Sequence, residues 1–159
     1  MRTVKGFTLV ELMVTIAVLG IIASIAVPNL SNWVDSSSAR SQVNLYRDML
    51  TYARAEAISK GQLVRVKQLG DETWVVGTGD PADCSAATAL RCFPAPTGKA
   101  GITLTGFPIQ FTSQGQVKGG SLTGFVPPSI AIKFTDNCAF NRDITVNGIG
   151  RIRSQKGGC

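Results

Sequence analysis

Two arginines near the end of the chain, in the run Gly150-Arg151-Ile152-Arg153, have the type and spacing best suited to binding chemistry. On a β-strand, residues two apart share a face and lie about 6.5 Å from each other. A guanidinium fork binds phosphate oxygens bidentately. The pair could therefore grip successive phosphates of a nucleic-acid strand. Lys156 follows, then Gly157 and Gly158 in what reads as a mobile tail, where glycines let backbone approach a ligand closely. The plainer alternative is two solvated arginines that blunt an edge strand against aggregation.

Net charge points to the same region. The chain has 159 residues, a formal charge of +6, 44% hydrophobic and only 16% charged residues. That composition excludes a disordered, highly charged chain. Leaving out Arg2 and Lys5 at the N-terminus, the excess positive charge falls entirely in residues 107–159. There Lys118, Lys133, Arg142, Arg151, Arg153 and Lys156 face only Asp136 and Asp143. Such a balance allows an anionic partner.

Enzyme chemistry finds little support. The chain has no His, so it lacks the commonest general base and metal ligand. The four Cys are too scattered for a zinc site, and no paired acidic cluster suggests another metal. Gly77-Thr78-Gly79 lacks the rest of a dinucleotide fingerprint and reads as a turn. No enzyme activity, metal or cofactor is expected.

The elements that must position the arginines begin with an apolar run. Phe7 to Val27 is twenty-one residues with one charge, Glu11. As a helix it measures about 31 Å, roughly one bilayer core. The basic flank with Arg2 and Lys5 puts the N-terminus on the cytoplasmic side. A plain one-span anchor fits this run, but a carboxylate inside it is costly and usually marks function or a partner. Pro28 should kink or break a helix. Helical spacing nevertheless resumes through Val43, Tyr46, Leu50, Ala53 and Ala57, with Gly61 as C-terminal cap. Arg40, Arg47 and Arg54 recur every seven residues on another face, which reads as solvated.

From Gln62 the period changes to two. Strands are expected at Leu63–Leu69, Thr73–Gly77, Ile102–Thr105, Ile109–Thr112, Leu122–Val126, Ile130–Phe134, Asp143–Val146 and Ile149–Ser154, the last pair joined by Asn147-Gly148. Residues 81–98 read as a loop. The whole is an α+β domain, one long helix against mostly antiparallel sheet. Four Cys allow three connectivities, and local pairing, Cys84–Cys92 and Cys138–Cys159, is the simplest.

The run GFTLVELMVTIAVLGIIASIAVPN resembles the class III signal of type IV pilins and type II secretion pseudopilins. Gly6, Phe7 and Glu11 match the family's leader-ending Gly, the Phe after it and the Glu at the fifth mature position. Beyond the signal, YARAEAISKGQLVRV with Trp74, FTSQGQV and RDITVNGIGRIRSQKGGC resemble the GspH/FimT group of minor pilins. The resemblance implies the pilin fold, with residues 1–6 removed by a prepilin peptidase and Phe7 N-methylated. Residues 7–28 become a transmembrane and fibre-core helix. Residues 29–159 form a globular domain in the periplasm or on the cell surface, ending in a basic hairpin and tail (142–159). Glu11 pairs with the Phe7 amine of a neighbouring subunit. The protein is expected in the inner membrane before assembly and in an extracellular fibre afterwards, with other pilin subunits as partners. The G-R-x-R ending matches members of the group that bind DNA, independently of sequence, in natural transformation. That implication carries over to Gly150, Arg151 and Arg153. Lys156 and Arg142 join on charge grounds, with Lys118 and Lys133 as supporting charge. The alternative within the same resemblance is a structural initiation or tip subunit, or a secretion pseudopilin, that binds no DNA.

Overall fold

A computed structural model of the chain describes residues 6–70, 73–95, 100–119, 124–134 and 138–159. Helix α1 (Leu9–Lys60) runs through Pro28 without a break in helix assignment. Thr8 caps its start. The Thr8 N–H and hydroxyl donate to Glu11 Oε2 at 3.0 and 3.1 Å, and the Glu11 N–H donates to Thr8 Oγ1 at 3.2 Å. This is a capping box, which satisfies N–H groups that the first turn leaves without helical partners. Gly61, at φ 63°, ends the helix as its spacing foretold.

The chain divides into two compact units, one ending at Ser37 and one spanning residues 38–159. In the first, large apolar side chains such as Leu9, Leu12, Ile16, Leu19 and Ile22 are exposed. Among the described residues no helix is long and apolar enough to cross a membrane. The expected span, residues 7–28, runs past the described side chains, which extend from Leu9 to Ile25, about 26 Å of helix. Val27 and Pro28, where the expected segment ends, lie outside the described side chains, as residues 1–5 of the expected leader lie outside the described structure.

In the second unit, Ala39, Val43, Tyr46, Met49, Leu50, Ala53 and Ala57 form the buried stripe of α1. They share one core with two four-stranded antiparallel sheets. The first sheet has the order β3-β2-β1-β5, from β1 (Val64–Gln68), β2 (Trp74–Thr78), β3 (Ala89–Phe93) and β5 (Ile109–Phe111). The second has the order β4-β6-β7-β8, from β4 (Ala100–Thr105), β6 (Ser129–Phe134), β7 (Arg142–Val146) and β8 (Ile152–Lys156). Val64, Val66, Trp74, Ile109 and Phe111 bring the first sheet into the core, and Ile130, Ile132, Ile144 and Val146 bring in the second.

Three strand expectations need correction. β3 lies inside the stretch read as a loop: Phe93 is buried in the core, and Leu90, the extra residue of a bulge between Ala89 and Arg91, packs against it within a run otherwise rich in turn residues. Of Leu122–Val126, residues 122–123 lie outside the described structure and the rest is not strand. Val126 is 64% exposed, so it has no core face to bury. β8 begins three residues later than expected, because the turn before it is longer than an Asn-Gly pair.

Candidate nucleic-acid interface

The turn from Asn147 to Arg151 is closed by three hydrogen bonds. The Gly150 N–H donates to Asn147 O at 2.9 Å, the Asn147 N–H to Arg151 O at 3.1 Å, and the Arg151 N–H to Asn147 Oδ1 at 2.7 Å. Arg151 is therefore held in the turn just before β8 instead of on the strand. Gly150 has φ 77°, and a β-carbon there would overlap the Gly115 carbonyl oxygen. Arg54 locks the same contact. Its Nε donates to Gly115 O at 2.8 Å and its Nη2 to Ile149 O at 3.2 Å. Gly150 thus allows the turn to pack against the 112–116 loop. The G-R-x-R resemblance places Gly150 in the DNA site; its role in the structure is this packing. Arg54 is likewise not the solvated residue its spacing suggested.

The hairpin sorts the basic residues onto two faces. Ile152, Ser154 and Lys156 stand opposite Val146, Ile144 and Arg142. Ile144 and Val146 are buried, so this face turns toward α1. Arg153 and Gln155 stand opposite Thr145 and Asp143 on the other face. Lys133 reaches that outer face from β6. The predicted group Arg142, Gly150, Arg151, Arg153 and Lys156 is thus one hairpin with two faces, not one patch. Lys118 sits apart, where its backbone N–H bonds Gln110 O at 2.8 Å. Arg151, Arg153 and Lys156 are exposed, and none of them joins an ion pair among the described residues. β8 is the outer strand of its sheet, so its free edge is bordered by cations on both faces.

The tail is pinned where a mobile segment was expected. The Gly157 N–H donates to Asn141 O at 2.9 Å, and Asn141 Nδ2 donates to Gly158 O at 2.8 Å. Asn141 is buried. Arg142 is held as well, its Nη1 donating to Ala139 O at 3.0 Å and to Asn141 O at 2.8 Å.

Cys84 and Cys92 form the expected disulfide, with an S–S distance of 2.02 Å. Cys138 and Cys159 are exposed free thiols, which corrects the second pairing. They are neighbours, and the hydrogen bond that the Cys159 thiol donates to Cys138 holds its pKa above the ordinary value. Asn141 fixes the tail without that bridge.

Sequence reasoning missed two features of these sites. Thr8-x-x-Glu11 is a capping-box spacing that was legible. Arg54 carried no such signal, because its partners are backbone carbonyls far away in sequence.

Comparison with known proteins bears on this architecture. Residues 1–27 match the prokaryotic N-terminal methylation motif, and residues 42–150 match the family described as type II transport protein GspH. Arg151, Arg153 and Lys156 lie beyond the matched stretch. A type IV major fimbrial protein FimA of Dichelobacter nodosus is 34% identical over 116 residues, 71% of this chain and 68% of the relative. Another FimA of that organism is 52% identical over 40 residues, 25% of this chain and 23% of the relative. Among solved structures, the type IV minor pilin FimU of Pseudomonas aeruginosa has a TM-score of 0.60 at 20% identity, covering 79% of this chain and 92% of that one. The minor pseudopilin EpsH from the type 2 secretion system of Vibrio cholerae has a TM-score of 0.53 at 14% identity, covering 75% and 97%. These two share the fold of an N-terminal helix on antiparallel sheets. With the methylation motif in front of that fold and the GspH match over more than half its length, the chain belongs to the GspH family of type IV minor pilins and pseudopilins.

Proposed function

We propose that this minor pilin binds DNA through the β7–β8 hairpin and promotes DNA uptake in natural transformation. The observation that carries the reading is the pair Arg151 and Arg153. Both are exposed and neither has a carboxylate partner among the described residues; Arg151 is presented by a turn that Asn147, Arg54 and Gly115 hold in one shape, and Arg153 by β8 just after it. A backbone held in advance leaves only the side chains to be ordered when they meet phosphate. Binding of this kind is dominated by the phosphate backbone, is weak per subunit and ignores base sequence.

The remaining parts follow the pilin pattern. A prepilin peptidase cleaves after Gly6, Phe7 is methylated, and the subunit waits in the inner membrane with its globular unit in the periplasm. During assembly the Glu11 carboxylate leaves its own Thr8 cap for the Phe7 amine of a neighbouring pilin, and the fibre becomes extracellular. The test is a gel shift of the full chain in detergent with duplex DNA of two unrelated sequences. Equal retardation of both, lost on Arg151→Gln with Arg153→Gln, supports the reading. No retardation at near-millimolar DNA removes it and leaves a structural tip or initiation subunit.

A further inference from the structure

A second basic site lies on the inner face of the hairpin. Arg142 and Lys156 are Cα partners in the β7–β8 register. Like charges placed directly opposite each other are unfavourable. From the other side, α1 brings Arg40 and Arg47 to the same cleft, whose volume is about 480 Å³. The rest of its lining is neutral, Val43, Asn44, Ser154 and Gln155, and no carboxylate contributes. Asp143 belongs to the opposite face of the sheet. Four cations thus converge on an open cleft, and among the described residues Arg40, Arg47 and Lys156 have no ion-pair partner.

The spacing says what kind of anion fits. Arg40 and Arg47 are seven residues apart on a helix, which is about 10.5 Å along its axis. At that backbone spacing the two side chains can engage separate anionic groups of one extended ligand, each through charge-assisted bonds of about 2.8 Å. A DNA strand offers one phosphate per about 3.4 Å of duplex axis, so a strand lying along α1 presents more than one phosphate to the pair. The cleft suits an extended polyanion. It opens beside β8, whose outer edge carries no neighbouring strand, and Arg153 stands on the far side of that edge.

We infer that the cleft lined by Arg40, Arg47, Arg142 and Lys156 is a second phosphate site, which receives the DNA strand after it crosses the β8 edge from Arg151 and Arg153. This rests on the DNA-binding reading above. It adds the helix as a contact surface and makes the footprint run from the outer face of the second sheet to α1.

The experiment measures binding of duplex DNA to the full chain in detergent micelles, by fluorescence anisotropy, from 50 to 200 mM salt. Arg40→Gln with Arg47→Gln should reduce the slope of log affinity against log salt by about 1.8, and affinity at 0.15 M salt by about 30-fold. Lys60→Gln removes a charge from the same helix outside the cleft and should change affinity less than twofold. If the double variant keeps the wild-type slope while Arg151→Gln with Arg153→Gln lowers it, the cleft proposal fails and the hairpin reading stands. An equal loss in Lys60→Gln reduces the effect to net charge and also overturns the cleft. A double variant with unchanged DNA binding but poor incorporation into fibres would assign the cleft to an acidic surface of a neighbouring subunit, again against the proposal. Wild-type protein that binds no DNA removes the hairpin reading itself.

Discussion

Gly150 packs against Gly115 so closely that a β-carbon at position 150 would overlap the Gly115 carbonyl oxygen. The contact joins the turn that carries Arg151 to the loop of residues 112–116, and Arg54 bonds both. Three stretches far apart in sequence therefore meet at one point under the candidate interface. Gly150→Ala adds a β-carbon in the left-handed region and at a backbone contact. The expected cost is about 3 kcal/mol, read as a fall in Tm of about 10 °C. Arg151→Ala should stay within about 0.5 kcal/mol. An unchanged Tm for Gly150→Ala would show that the glycine is there for something other than packing.

Arg54→Met tests the lock without touching the ligand surface. It leaves Gly115 O and Ile149 O without their side-chain donor, at a cost of about 1–3 kcal/mol. Thermal unfolding checks the cost. DNA affinity should fall as well, although Arg54 lies beneath the exposed arginines, because the turn loses its fixed shape. Wild-type affinity with lowered stability would separate the lock from binding.

The expected elements came from local signals that the structure upholds. The stripe Val43, Tyr46, Leu50, Ala53 and Ala57 is buried, and Gly61 ends the helix. What periodicity could not show were relationships set by distant backbone. Arg54 sits in the same heptad row as Arg40 and Arg47, yet it bonds two carbonyls while the others face a cleft. Gly150 enters only as part of the G-R-x-R motif, and its packing shows once Gly115 is placed beside it. β3 was hidden because Pro, Asp and Ser around Leu90 and Phe93 outweigh a strand of five residues. Arg153 and Lys156 share a run of charge, but an odd separation puts them on opposite faces.

Asp80 gives a pH prediction. Its carboxylate meets Lys67 Nζ and Arg65 Nη1, each at 2.9 Å, and the hydrogen bonds from Lys67 and then Arg65 hold its pKa below the ordinary carboxylate value. A group depressed in the folded state stabilises above its unfolded pKa, and the benefit is lost as pH falls through the folded value. Stability should therefore decline below the ordinary Asp range, and Asp80→Asn should remove that part of the decline. Denaturant midpoints measured from pH 7 downward check it. Parallel curves for the two proteins would contradict it.

The cysteines divide by chemistry. In folded protein without reductant, a thiol reagent should label two cysteines, Cys138 and Cys159, and spare the Cys84–Cys92 bridge. The hydrogen bond that the Cys159 thiol donates to Cys138 raises its pKa, so its alkylation rate should rise at higher pH than that of an ordinary thiol. Cys138→Ala should bring that rise down. Mass spectrometry of labelled peptides reads each site, and two labels missing from 138 and 159 would contradict the free thiols.

The central claim is that Arg151 and Arg153 hold DNA phosphates. The most direct measurement is the affinity of the full chain for duplex DNA as a function of salt, wild type against Arg151→Gln with Arg153→Gln. The account predicts a linear fall of log affinity with log salt in the wild type, and a slope smaller by about 1.8 in the variant. Wild-type protein that fails to bind, or a variant with the wild-type slope, would contradict it.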